Sequence, residues 1–298
     1  MRTIAAAALL ITWALPAAAG TVRTINADSF YPEGPLWHDG RLLYVEYAAN
    51  TVMAWDGTSN IELWKQDGCG PAAVIAWQGD LLVTCYDANT LVRIAADGTT
   101  VASIDRDADG KPLLGPNDAT ADGRGGLWLS MSGVYDAAAA IQGMVYHLSA
   151  DGALRPMADM IHYSNGLAVT DDGRTLLVAE MLAARILAFA IAADGTLGQR
   201  RVLARMADIV PTPPDADAYY GPDGIKVGRD GRLYIAANGA GAVLVTDANG
   251  KLLARLDVPA RFVTNVGFGA DEDTLFVTAA VDAWNEPYPG AVYEIDLR

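Results

Sequence analysis

Asp223-Gly-Ile-Lys-Val-Gly-Arg-Asp-Gly-Arg-Leu-Tyr-Ile-Ala236 decides the fold of this chain. It is a polar residue on a glycine, a short apolar run, an Asp-Gly turn and a second apolar run. Asp-Gly supplies the positive φ angles of a tight hairpin turn. The β-branched and aromatic runs on either side read as strands. The same pattern stands at Glu33-Gly-Pro-Leu-Trp37, with His38-Asp-Gly40 and Arg41-Leu-Leu-Tyr-Val45 after it. It stands again at Asn165-Gly-Leu-Ala-Val169, followed by Thr170-Asp-Asp-Gly173 and Arg174-Thr-Leu-Leu-Val178.

Two further units open on Asn117-Asp118 and Asn265-Val266. Glu33, Asn117, Asp223 and Asn265 each lie 11 residues before an apolar residue of the second run (Tyr44, Trp128, Tyr234, Phe276), and Asn165 lies 12 before Leu177. A sixth unit, Val74-Ile-Ala-Trp77, Gln78-Gly-Asp80 and Leu81-Leu-Val83, has the hairpin without the polar residue: counting 11 back from Leu82 reaches Pro71. The equivalent residues Tyr44, Leu82, Trp128, Leu177, Tyr234 and Phe276 are spaced by 38, 46, 49, 57 and 42. A plainer hairpin follows in several units, as in Val92-Arg-Ile94, Asp97-Gly98 and Val101-Ala-Ser-Ile104. Two hairpins make four strands. A period of that length with four strands predicts an all-β chain, a six-bladed β-propeller with four antiparallel strands per blade. A β-sandwich with chance likeness between hairpins is the alternative. If the units close into a ring, their polar residues converge on one channel. Carboxylate and amide oxygens there are the donors a hard cation takes.

Bulk properties narrow the function. The 298 residues fit one closed propeller, expected over 20–298 with no internal boundary. Residues 1–19 read as a secretory signal, with Arg2, an apolar run from Ile4 to Leu15 and Ala17-Ala-Ala19 as the small-residue cleavage site. The run is short for a membrane span, so no span is expected after signal removal, and the protein is expected to be periplasmic or secreted. A net charge of -15 excludes a phosphate-binding basic face, hence nucleic acid as partner. A small-molecule substrate and a monomer or weak oligomer are expected. Cys69 and Cys85 flank the Gln78-Gly-Asp80 hairpin, with Cys69 in the loop before its first strand. Export makes a bridge between them possible.

The channel mouth is expected to be shared by loops entering each first strand and loops leaving each second strand. Tyr47 and Tyr86 follow second strands. Met131 to Gln142 carries Tyr135, and Ala280 to Gly290 carries Trp284. Arg205 to Gly221 is proline-rich, carries Tyr219 and Tyr220, and reads as a lid or wall. His162 lies three residues before Asn165 and is the histidine expected to approach the channel.

Pro32-Glu-Gly-Pro-Leu-Trp37, Gly115-Pro-Asn-Asp118, Ser164-Asn-Gly-Leu-Ala168, Pro222-Asp-Gly-Ile225 and Thr264-Asn-Val-Gly-Phe-Gly269 form an ordered set. With them the chain resembles the gluconolactonase/regucalcin (senescence marker protein) family. The resemblance implies a six-bladed propeller with one divalent metal in the channel. It implies Glu33, Asn165 and Asp223 as ligands, with Asn117 at the metal or on substrate. It implies hydrolysis of lactones, or of phosphotriesters in some relatives. Two departures bear on substrate. Sugar-lactone relatives carry arginine where this chain has Gly115, and Met131 stands where many bacterial gluconolactonases carry aspartate. Both argue for a less polar ester or lactone.

The reading is therefore an exported metal-dependent lactonase or esterase. Calcium is expected from all-oxygen ligation, with magnesium, manganese or zinc as alternatives. Asp223 and Asn117 are the catalytic candidates, and Asp223 is expected to serve first as ligand. Tyr47, Tyr86, Met131, Tyr135, His162, Tyr220 and Trp284 are the substrate-binding candidates. Asn265 reads as turn chemistry. A phosphotriesterase or other water-adding enzyme, or a non-catalytic binding propeller, are the alternatives. Glycine-x-serine-x-glycine is absent, which removes the usual serine hydrolase.

Overall fold

Each repeat folds into a four-stranded antiparallel sheet whose first strand lies innermost. In the computed structural model, which describes residues 20–298, strand β1 (Val22–Phe30) leads into β2–β5 (Pro32–His38, Arg41–Glu46, Thr51–Trp55, Asn60–Lys65). β6–β9 follow (Pro71–Trp77, Asp80–Cys85, Thr90–Ile94, Thr100–Ile104), then β10–β13 (Pro116–Ala121, Leu127–Met131, Gly143–Leu148, Leu154–Ile161). β14–β17 span Ser164–Val169, Thr175–Glu180, Arg185–Ala190 and Arg201–Arg205. β18–β21 span Gly221–Val227, Leu233–Asn238, Ala242–Thr246 and Leu252–Asp257, and β22–β24 span Phe262–Phe268, Thr274–Ala280 and Pro289–Asp296. The expected signal at 1–19 lies outside the described residues.

The first four sets pair in chain order as separate sheets. The last two share one eight-stranded sheet, joined by a single pairing of Asn238 with Phe262. β1 is the outer strand of the final set. It pairs antiparallel with β24 from Val22↔Ile295 to Phe30↔Pro289, so both ends of the described chain meet in one sheet. The six first strands touch in a closed circuit, β2–β6–β10–β14–β18–β22 and back to β2. The fold is all-β and propeller-like.

The core sits between sheets, not within one. Residues facing away from the solvent on neighbouring sheets interlock, as where Leu43 and Val45 pack on Val74, Val83 and Val92. The circuit is tight, and glycine after the anchor permits it. A Cβ on Gly166 would lie 2.5 Å from the backbone oxygen of Asp223, and one on Gly34 would lie 2.6 Å from the Cα of Ala73.

Cys69 and Cys85 form a disulfide with Cα atoms 4.6 Å apart. Cys69 lies in the loop before β6, as the sequence places it. Cys85 pairs with Pro71, next to a bulge between Pro71 and Ala73. No helix among the described residues is long and apolar enough to cross a membrane.

Candidate metal centre and its aromatic wall

Every first strand is bulged where its polar residue sits. Register breaks fall between Glu33 and Leu36, Pro71 and Ala73, Pro116 and Ala119, Ser164 and Leu167, Pro222 and Ile225, and Val263 and Asn265. A bulge re-aims a side chain that regular pairing would leave on a sheet face. Here it presents Glu33, Ala72, Asn117, Asn165 and Asp223 to the channel. The bulge also corrects the sixth unit: Pro71 matches Pro32, Pro116 and Pro222, each directly before the anchor, so Ala72 occupies the anchor position, not Pro71.

Glu33, Asn117, Asn165 and Asp223 line one cavity of about 280 Å³, with Ala72 beside them. All four anchors are buried. Asn165 Oδ1 and Asp223 Oδ1 are buried with no hydrogen-bond partner among the described residues. Asn165 Nδ2 lies 3.5 Å from Met181 Sδ, which fixes the amide with its nitrogen on the thioether. Asn238 Nδ2 donates to Asp223 Oδ2 at 2.9 Å. The Gly34 N–H donates to Glu33 Oε2 at 3.1 Å.

Burial pushes the Glu33 carboxyl well above the usual carboxylate range, and the neighbouring charge of Asp223 adds to it. Burial likewise raises Asp223, against the hydrogen bond from Asn238 and with the charge of Asp118. Two buried acids lining one cavity resist ionising together unless a positive charge joins them. Among the described residues no three His, Cys, Asp or Glu side chains converge as a metal cluster. The donors that do converge are two carboxylates and two amides. Unpaired amide and carboxylate oxygens in one cavity fit a hard divalent cation.

Asp118 does not line the cavity. It is buried one residue on, with Lys226 Nζ 3.4 Å from its Oδ2 and the Ala119 N–H on its Oδ1. Asn265 also lies off the cavity, its Oδ1 accepting from the Val266 N–H at 2.8 Å.

Above the anchors the cavity wall is aromatic. Tyr47, Tyr86, Tyr135 and Trp284 line it, as the sequence expects. Met131, His162 and Tyr220 do not. Met131 packs in the apolar cluster of Leu127, Leu129 and Leu148, because β11 turns it toward the neighbouring sheet. Tyr220 packs against Ile209 and Ile225 in another cluster. His162 donates its backbone N–H to Glu180 Oε1 at 2.8 Å, and its Nε2 is buried without a partner outside the cavity.

Tyr31, Tyr163 and Tyr288 also line the cavity, and the sequence reading passed over them as site residues. The signal was present for two. Tyr31 and Tyr163 stand two residues before Glu33 and Asn165, where other units carry Gly70 and Gly115. All four residues have positive φ, between 50° and 64°. A non-glycine residue in that region is uncommon and carries backbone strain. Tyr219, from the Arg205–Gly221 loop, has its ring centroid 4.7 Å from Tyr135 and 5.0 Å from Trp284, so three loops meet over the cavity.

Comparison with known proteins follows this geometry. Residues 31–281 match the family model for the SMP-30/gluconolactonase/LRE-like region. The pentonolactonase XacC of Haloferax volcanii is 26% identical over 275 residues, covering 87% of this chain and 84% of its own. The gluconolactonase XC5397 of Xanthomonas campestris is 27% identical with a TM-score of 0.76, covering 94% of this chain and 90% of its own. A calcium-binding regucalcin of Agrobacterium tumefaciens shares the fold at 20% identity, with a TM-score of 0.77 and coverage of 94% and 96%. The matched model spans most of the chain, and the chain belongs to the SMP-30/gluconolactonase/LRE-like family.

Proposed function

We propose that this protein is an exported lactone-hydrolysing enzyme, a single six-bladed propeller over 20–298 that uses one divalent cation in its channel. The closed circuit of six first strands supports six blades. The disulfide supports an oxidising compartment. Relatives named for lactone hydrolysis support the reaction class.

One observation carries the reading: Asn165 Oδ1 and Asp223 Oδ1, buried and unpartnered, share a cavity with Glu33 and Asn117. Glu33, Asn165, Asp223 and Asn117 would hold the ion, and two carboxylates would balance a divalent charge. Calcium suits the all-oxygen set, with magnesium, manganese or zinc able to replace it. When bound, the cation supplies Lewis-acid polarisation of the substrate carbonyl and stabilisation of negative charge on its oxygen.

The protein groups supply the rest. Asn117 orients the carbonyl through its amide. Asn238 fixes Asp223 by one oxygen, leaving Oδ1 to take a proton from the attacking water. The water oxygen bonds to the carbonyl carbon, the ring C–O bond breaks, and that proton passes to the departing alkoxide. The product is a hydroxy acid. The aromatic wall excludes bulk water from the reacting atoms.

Acid release over a panel of lactones and esters, with and without chelator, tests this. Chelator-sensitive release that is lost in Glu33→Gln and Asp223→Asn is expected. Equal behaviour of chelated and calcium-loaded protein would sink it.

A further inference from the structure

Besides its polar floor, the cavity has one distinctive property: above the anchors its wall is mostly aromatic and carries no charged side chain. Its upper lining is tyrosine, tryptophan, alanine and methionine, with no lysine, arginine or histidine among the lining residues. The aromatic rings touch in sequence around the mouth. Tyr31 meets Tyr47 at 5.7 Å, Tyr47 meets Tyr86 at 6.5 Å, Tyr86 meets Tyr163 at 6.3 Å, and Tyr163 meets Tyr135 at 4.8 Å. Tyr135 then lies nearly parallel to Trp284, with 11° between planes and centroids 6.4 Å apart.

Two of the hydroxyl protons are already committed to protein. Tyr47 donates to Asp87 Oδ1 at 2.9 Å, and Tyr86 donates to the Gly133 carbonyl at 2.7 Å. No side chain can readily enter beside them at Gly115. Its φ is +61°, and a Cβ there would lie 2.7 Å from the Gly133 oxygen and 2.9 Å from the Tyr86 ring. Trp284, meanwhile, is 47% exposed at the mouth. A large aromatic surface left open beside a reactive floor favours an apolar group over water.

Size sets a second limit. A cavity of about 150 Å³ holds benzene, so about 280 Å³ holds one aromatic ring together with a small lactone ring. A hydroxyl-covered lactone of equal size would bury most of its hydroxyls against ring faces, with only the tyrosine hydroxyls to pair with them.

We propose that the substrate is a small lactone or ester bearing an aromatic or similarly flat apolar substituent, which the Tyr135–Trp284 side of the wall receives while the carbonyl reaches the anchors. This rests on the lactone-hydrolase reading and names its substrate class.

Three six-membered lactones with alkoxide leaving groups test it: δ-valerolactone, its 6-phenyl derivative and glucono-δ-lactone. On the calcium-loaded protein, kcat/KM corrected for spontaneous hydrolysis should be about tenfold higher for the phenyl compound than for δ-valerolactone. It should be about a hundredfold higher than for glucono-δ-lactone. Tyr135→Ala and Trp284→Ala should each bring the phenyl-to-unsubstituted ratio close to one. Chelator-sensitive turnover that favours glucono-δ-lactone overturns the substrate class and leaves the hydrolase reading intact.

A calorimetric arm keeps the two claims apart. The matching 6-phenyl lactam cannot be hydrolysed in the same way and reports binding alone. If none of the lactones turns over, the hydrolase reading fails. The preference of the wall for a flat apolar substituent then stands if the phenyl lactam binds at least tenfold tighter than the unsubstituted lactam and loses that margin in Trp284→Ala. It falls if the two lactams bind alike.

Discussion

Asn238 donates to Asp223 Oδ2 at 2.9 Å and leaves Asp223 Oδ1 buried without a partner. The two residues sit on adjacent strands of one hairpin, so the backbone pairing of β18 with β19 sets their distance. The arrangement spends one carboxylate oxygen on orientation and reserves the other for the cavity. Outer hydrogen bonds of this kind are typically worth ten- to a hundredfold in metal affinity. Asn238→Ala should therefore weaken calcium binding about tenfold or more by titration calorimetry. Unchanged affinity would mean that something other than Asn238 orients Asp223.

Cation removal should loosen the channel. Burial and mutual charge raise both Glu33 and Asp223, so the apo site holds two acids at a cost that a bound cation relieves. Calcium at about a hundred times its Kd should stabilise the fold by about 2.7 kcal/mol. The expected result is a Tm that rises with calcium concentration in the wild type and stays flat in Glu33→Gln. A Tm indifferent to calcium and chelator in the wild type would remove the metal from the channel.

Gly166 marks a close approach of two first strands. A Cβ there would lie 2.5 Å from both the Asp223 oxygen and the Ile225 nitrogen, which are backbone atoms with little freedom to yield. Gly166→Ala should cost about 3 kcal/mol, the upper end of ordinary overpacking, read as a lowered urea midpoint. A midpoint within error of wild type would mean that the circuit of first strands is slack.

The Cys69–Cys85 bridge closes a loop of sequence separation 16. Loop-closure entropy puts its worth at about 3 kcal/mol. The double substitution to serine should lower the unfolding free energy by that amount under oxidising conditions, read from a denaturant titration. Under reducing conditions the two proteins should converge, and a persistent gap would point to lost packing at two buried positions instead.

Asp122 makes stability depend on acid pH. Burial alone would raise its carboxyl, but the His147 ring at 2.8 Å and the Arg124 and Gly126 N–H groups outweigh burial and hold it below the usual range. A carboxyl lowered by folding adds stability above its unfolded value, about 3.9, and loses it as pH falls through the folded value. Asp122→Asn should have a lower Tm than wild type at pH 7, with the gap closing below about pH 4. A gap that is constant down to pH 3 would assign the effect to shape and not to charge.

Much of the architecture is legible in the chain itself. Local pattern reports which residues each strand buries, and Asp-Gly turns at matched offsets report where hairpins reverse. The repeat therefore predicts the hairpins and five oxygen-bearing residues, of which Glu33, Asn117, Asn165 and Asp223 meet in the cavity. It also predicts Tyr47, Tyr86, Tyr135 and Trp284 at the mouth, since loops after second strands return to the channel.

Only ring closure decided the rest. Met131 ends a second strand and Tyr220 precedes a first strand, both at the level of the mouth, yet adjacent sheets claim their side chains for the core. Tyr31 and Tyr163 look like ordinary strand neighbours until a positive φ turns them to the cavity. The shift from Pro71 to Ala72 and the pairing of Asn238 with Asp223 depend on bulges and register across strands. Sequence carries the periodicity of single strands, because each strand buries its own alternating faces. Which side chains share a cavity is a property of strands far apart in the chain, and only their packing around one axis sets it.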